Sequence, residues 1–202
     1  MVYGFIIHTL GPGPNGSPKL SQVLYSRIFS CDLPDDKLQS EEYGLDKVRL
    51  RRKERVAIVA RQTESMCLLR RQVSGKPASD YSVHLTDESI LLQEEDVGVY
   101  SLGSGDPFPH EKIVLWVAVF SFGFSLICNV QENLTLAEST LRMLVKYLVE
   151  STKLLTHSSN ILLRADMIEM SIDKFMPQGQ LLFLNHQAVQ ALEKELSGSM
   201  TL

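Results

Sequence analysis

The feature that most constrains this chain is an apolar run near its middle, "KIVLWVAVFSFGFSLICNV" at 112–130. Sixteen consecutive residues, 113–128, carry no charge and hardly a polar group. As one helix they would reach about 24 Å, short of the roughly 30 Å hydrocarbon core of a bilayer. Gly123 also divides the run into two halves rich in aromatic and β-branched residues. Each half, 113–122 and 124–130, fits a strand of roughly 3–10 residues. A strand without polar alternation is covered on both faces. The run therefore predicts a hairpin of two central strands, hinged at Gly123, in a sheet with helices packed on both sides. A membrane span is rejected.

The segments around the run fit that sheet. Residues 2–10 are rich in β-branched and aromatic types and stop at "GPGPNGSP" (11–18), a turn-forming loop. A strand-like pattern resumes over 20–31, which makes a hairpin. A polar loop spans about 32–47. In "RLRRKERVAIVARQTESMCLLRRQ" (49–72), Val56, Val59, Ala60, Thr63, Met66, Cys67 and Arg70 recur at helical steps, which predicts one buried stripe with charges opposite. Residues 74–109 hold seven acidic residues against one lysine. They read as a solvated loop, most clearly over 74–96, with a short strand at 97–102. Asn133 is placed to cap a helix carrying Ala137, Leu141, Leu144, Val145 and Leu148 on one stripe. A further helix puts Ile161, Ala165, Ile168, Ile172 and Phe175 on one face and ends at Pro177 and Gly179. "QLLFLN" is extended, and 187–196 form a last helix grouping Val189, Leu192 and Leu196. One domain, 1–202, accounts for the whole.

Chemistry is sparse. A net charge of −4 and a pI near 5.7 argue against a nucleic-acid binder. Cys31, Cys67 and Cys128 are odd in number and widely spaced, which predicts buried free thiols rather than a zinc or redox pair. The N-terminal "MVYGFIIHTL" lacks the basic region and cleavage site of a signal peptide. Gly11, Gly13 and Gly16 spell G-x-G-x-x-G, yet Pro12, Pro14 and Pro18 remove donors and a strand follows instead of a helix. The histidines are scattered, and no metalloprotease, P-loop or nucleophile-elbow motif occurs. No catalytic, cofactor or metal residue is assigned.

Two stretches invite a surface role. Arg49, Arg51, Arg52, Lys53 and Arg55 place five basic residues within seven. The plainest account is the solvated start of a helix. Contact with an anionic membrane surface or an acidic partner helix is the second, and a nuclear-import patch, with a minor nuclear pool, the third. "DPF" at 106–108 is a tripeptide that endocytic proteins present to adaptor ear domains, and also an ordinary turn entering a strand.

The element order is strand, strand, helix, three strands, then helices. "KIVLWVAVFSFGFSLICNVQENLTLAESTLRMLVKYL" resembles the pattern of the small (sigma) subunits of vesicle-coat adaptor complexes, a longin-like family. "VLYSRIF", "VARQTESMCLLRRQ", "ILLRADMIE" and "GQLLFLNHQAVQALEKE" extend the resemblance and bring it nearest to the sigma subunits of the fifth adaptor protein complex. It covers most of the chain, apart from 32–47 and 74–96.

The resemblance implies an α+β, α/β/α-layered fold: a five-stranded antiparallel sheet with one helix on one face and two or more on the other. It implies a non-enzymatic light chain on the trunk of a large zeta-type subunit, alongside beta-type and mu-type subunits, with spatacsin and spastizin associated. The implied place is the cytosolic face of late endosomes and lysosomes, in protein sorting, with membrane contact only through the complex. A longin-type subunit of a tethering or nucleotide-exchange complex is the alternative with the same architecture. Leu134, Leu141, Leu148, Leu181 and Phe183 are the candidate partner surface, since obligate interfaces resemble a cut core. Adaptor sigma subunits also help bind acidic dileucine signals through a basic residue at the second strand. Here Gln22 stands close to that position while Lys19 and Arg27 are off it, so weak or absent dileucine binding is expected.

Overall fold

The computed structural model describes residues 1–11, 21–30, 44–75, 96–152 and 160–198. Five strands form one antiparallel sheet: β1 (Val2–Thr9), β2 (Val23–Ile28), β3 (Asp96–Leu102), β4 (Lys112–Val119) and β5 (Phe122–Asn129), in the order β2-β1-β5-β4-β3. The apolar run supplies β4 and β5, and both are buried along nearly their whole length. Their neighbours in the sheet and the helices above and below hide them, which is why neither needs polar alternation.

The turn between them differs from the expected one. It falls at Phe120 and Ser121, with Phe120 in the left-handed region at φ 51°. Gly123 lies inside β5, where it serves packing. A Cβ built there would sit 2.4 Å from the His8 ring of the paired strand.

One face of the sheet carries α1 (Gly44–Val73), which crosses from β2 to β3. Val56 belongs to the cluster against which Val23 and Ile28 of β2 pack, and Arg71 donates to Asp96 Oδ2 of β3 at 2.9 Å. Val56, Val59, Ala60, Thr63 and Cys67 are buried as expected, but Met66 and Arg70 are exposed and Arg71 takes the next buried position. Four residues beyond Cys67 the stripe returns to Arg71, which is what helical periodicity requires.

The opposite face carries α2 (Leu134–Thr152), the short α3 (Asn160–Leu163), α4 (Ala165–Phe175) and α5 (His186–Gly198). Asn133 Oδ1 accepts from Leu136 N at 3.0 Å, the anticipated cap. Ala137, Leu141, Leu144, Val145 and Leu148 are all fully buried against Phe5, Ile7 and Phe124. The helix expected from Ile161 to Phe175 is broken at Arg164, whose φ −124° and ψ 34° are not helical. Ala165 consequently points outward, while Ile161, Ile168, Ile172 and Phe175 keep the core face. The result is an α+β, three-layered longin-like arrangement. The loop 12–20 and most of 32–47 and 74–96 lie outside the described residues.

Candidate functional site

The most chemically suggestive group is a chain of buried polar side chains between α1 and the sheet. His8 Nδ1 lies 3.1 Å from Ser21 Oγ, and His8 Nε2 lies 3.4 Å from Ser125 Oγ. Ser125 Oγ is 3.1 Å from Thr63 Oγ1, which is 3.0 Å from the Tyr100 hydroxyl. Tyr100 ends the chain by donating to the Val59 carbonyl at 3.1 Å. His8, Thr63 and Ser125 are fully buried. Burial holds the His8 ring well below the usual histidine range, at about 4, and pushes the Tyr100 hydroxyl up to about 12. Buried at its centre and mutually hydrogen-bonded, this chain of groups ties helix to sheet. The Cys67 and Cys128 thiols are likewise raised by burial, to about 11 and about 12, and so stay protonated. Among the described residues no group of three His, Cys, Asp or Glu is placed to hold a metal ion.

The five basic residues do not form one patch. Arg49, Arg52 and Lys53 face β2 across a groove of about 690 Å³. Arg51 and Arg55 face the other flank, with Glu54, Arg61, Gly105 and Asp106 around a hollow of about 570 Å³. Arg55 lies 5.8 Å from the ring centroid of Phe108. That phenylalanine is fully buried, packed edge-on to Tyr3 at 5.0 Å, so "DPF" enters the core as a turn and is not displayed.

The candidate partner residues separate by burial. Leu141 and Leu148 belong to the chain's own core, and Leu134 and Leu181 are half-buried against it. Phe183 is 91% exposed. Sequence reasoning missed Leu163, which is 77% exposed because the helix breaks beside it, and the outward Leu69 and Val73 of α1. The steps from Met66 to Leu69 to Val73 are a helical stripe that was legible in principle. It lay beside the stronger buried stripe, which absorbed Met66. At the second strand, Arg27 is engaged on the opposite face, pairing with Glu169 at 3.0 Å and Asp173 at 2.6 Å. Gln22 is exposed and its backbone amide donates to Thr9 Oγ1. Lys19 lies outside the described residues.

A sheet covered on both faces, in this strand order, defines a longin-like domain. The family model described as AP-5 complex subunit sigma-1 matches residues 1–197. The chain is 44% identical over 200 residues to the human protein named AP-5 complex subunit sigma-1, covering 98% of each. It is 40% identical over 157 residues to the mouse protein of that name, covering 77% of this chain and 91% of that one. The chain belongs to the AP-5 complex subunit sigma-1 family. No described helix is long and apolar enough to cross a membrane.

Proposed function

We propose that this chain is a non-catalytic light chain that docks on the trunk of a large zeta-type subunit. Beta-type and mu-type subunits complete the adaptor, which acts in protein sorting on the cytosolic face of late endosomes and lysosomes. Spatacsin and spastizin are the proposed associated proteins, and membrane contact comes through the complex. The observation that carries this reading is family membership across nearly the whole chain, 1–197. The exposed Phe183 and Leu163 supply apolar surface for such docking.

Co-expression with the N-terminal trunk of the zeta-type subunit tests it, read by size-exclusion chromatography with light scattering. A one-to-one complex is expected, with the lone chain poorly soluble. A well-behaved monomer that ignores the trunk would keep the fold and sink the proposed role, moving the search to tethering and exchange complexes.

A further inference from the structure

The groove between α1 and β2 combines two features that point to the same ligand. β2 ends the sheet, and among the described residues β1 is its only strand neighbour. An edge strand presents alternate backbone N–H and C=O groups outward, which an extended chain can complete. The first turns of α1 run alongside. No residue from Asp46 to Arg55 is buried, and Val56 is the first to enter the core, next to Val23 and Ile28. These residues are the least buried part of α1, about 15 Å long at 1.5 Å per residue. Arg49 and Lys53, one helical turn apart, and Arg52 beside them form its wall toward β2, while Val23, Ser26 and Ile28 form the strand wall.

We propose that this groove binds an extended acidic segment of a partner protein, which adds to β2 as a further strand and sets carboxylates against Arg49 and Lys53. A lone anionic headgroup would use the cations and leave the strand edge unused, so the peptide accounts for both walls. Alternation matters as well. In an added strand every second side chain points to the α1 side, so acidic residues at alternate positions would meet the cations. The other face of β2 is closed by the Arg27 pairs to Glu169 and Asp173, which leaves the α1 side as the face on which side chains of the added strand are read. This inference is independent of which assembly carries the chain.

The test uses the full-length chain and a short fluorescent peptide in which glutamate alternates with valine and threonine. Two control peptides replace glutamate with lysine, or N-methylate alternate backbone amides while keeping the charges. The glutamate peptide should bind, and both controls should fail. The double variant R49E/K53E should weaken binding by at least about ten-fold, since each attraction becomes a repulsion. On the unaltered chain, hydrogen exchange should show the Val23–Ile28 amides protected when peptide is added. Because that readout needs no variant, misfolding of the charge-reversed chain would leave the test standing. Equal binding of the N-methylated peptide would overturn strand addition. Binding to phosphatidylserine vesicles through the same two cations, with the glutamate peptide ignored, would overturn the proposal in favour of a membrane contact.

Discussion

His8 shows how one residue accounts for choices elsewhere in the sequence. Its ring lies flat against β5 only because position 123 is glycine, and a Cβ there would stand 2.4 Å from the ring. Gly123→Ala should therefore cost about 1–3 kcal/mol through overpacking. Urea denaturation checks this, and the cost should shrink in a His8→Ala background, where the clash is gone. The same burial predicts a pH effect. The folded ring titrates near 4 against 6.5 when free, so the unfolded chain binds the additional proton between those values. Stability should be intact above pH 6.5 and fall as the pH drops toward 4, by up to about 3 kcal/mol from this group. Comparing the pH dependence of unfolding with that of His8→Gln isolates it. An equal slope in both chains would remove His8 as the cause.

At the scale of elements, α1 is fixed to the sheet at both ends of its packed stretch. Val56 holds it near β2, and the Arg71–Asp96 pair, with both side chains about one-tenth exposed or less, holds it at β3. Asp96→Asn removes the negative charge that faces a largely buried guanidinium and should destabilise by about 1.5–3 kcal/mol. Replacing both residues with apolar ones of similar size should recover much of that loss, and thermal denaturation of the two variants decides it. The helices and strands themselves were legible in the sequence wherever one face is buried, because burial imposes the period: β4, β5 and the α2 stripe follow directly from their apolar spacing. Two boundaries were not legible, for physical reasons. Gly123 resembled a hinge because glycine is the usual turn residue, yet here it makes room for a ring from another strand. The break at Arg164 leaves no mark in the apolar spacing, which continues at helical steps from Ile161 to Phe175.

For the whole molecule, the difficulty was to tell surface from core. An apolar stripe that meets the chain's own sheet looks the same in sequence as one that meets a partner. Leu141 and Leu148 therefore entered the candidate interface although both are fully buried. The basic run was visible, and helical phase divides its members between two flanks, Arg49, Arg52 and Lys53 on one and Arg51 and Arg55 on the other. The same placement bears on cargo. With Arg27 engaged by Glu169 and Asp173 and an uncharged Gln22 at the strand start, an acidic dileucine peptide lacks its charge-assisted partner there. Calorimetry should find weak or absent binding, and a micromolar affinity would refute this. Phe183 poses the sharper question. It lies between the turn after α4 and the start of α5 with 91% of its surface in water, although the neighbouring Leu181 and Leu184 pack inward. An aromatic ring left outside contributes little to the fold, so Phe183→Ser should leave the melting temperature unchanged. If the ring is buried by the large-subunit trunk, its loss removes about 1.5–3 kcal/mol of apolar burial and weakens that complex by about ten- to hundred-fold. A variant that keeps both its melting temperature and its affinity for the trunk would place the docking surface elsewhere on the molecule, and Leu163, at the break before α4, would be the next residue to alter.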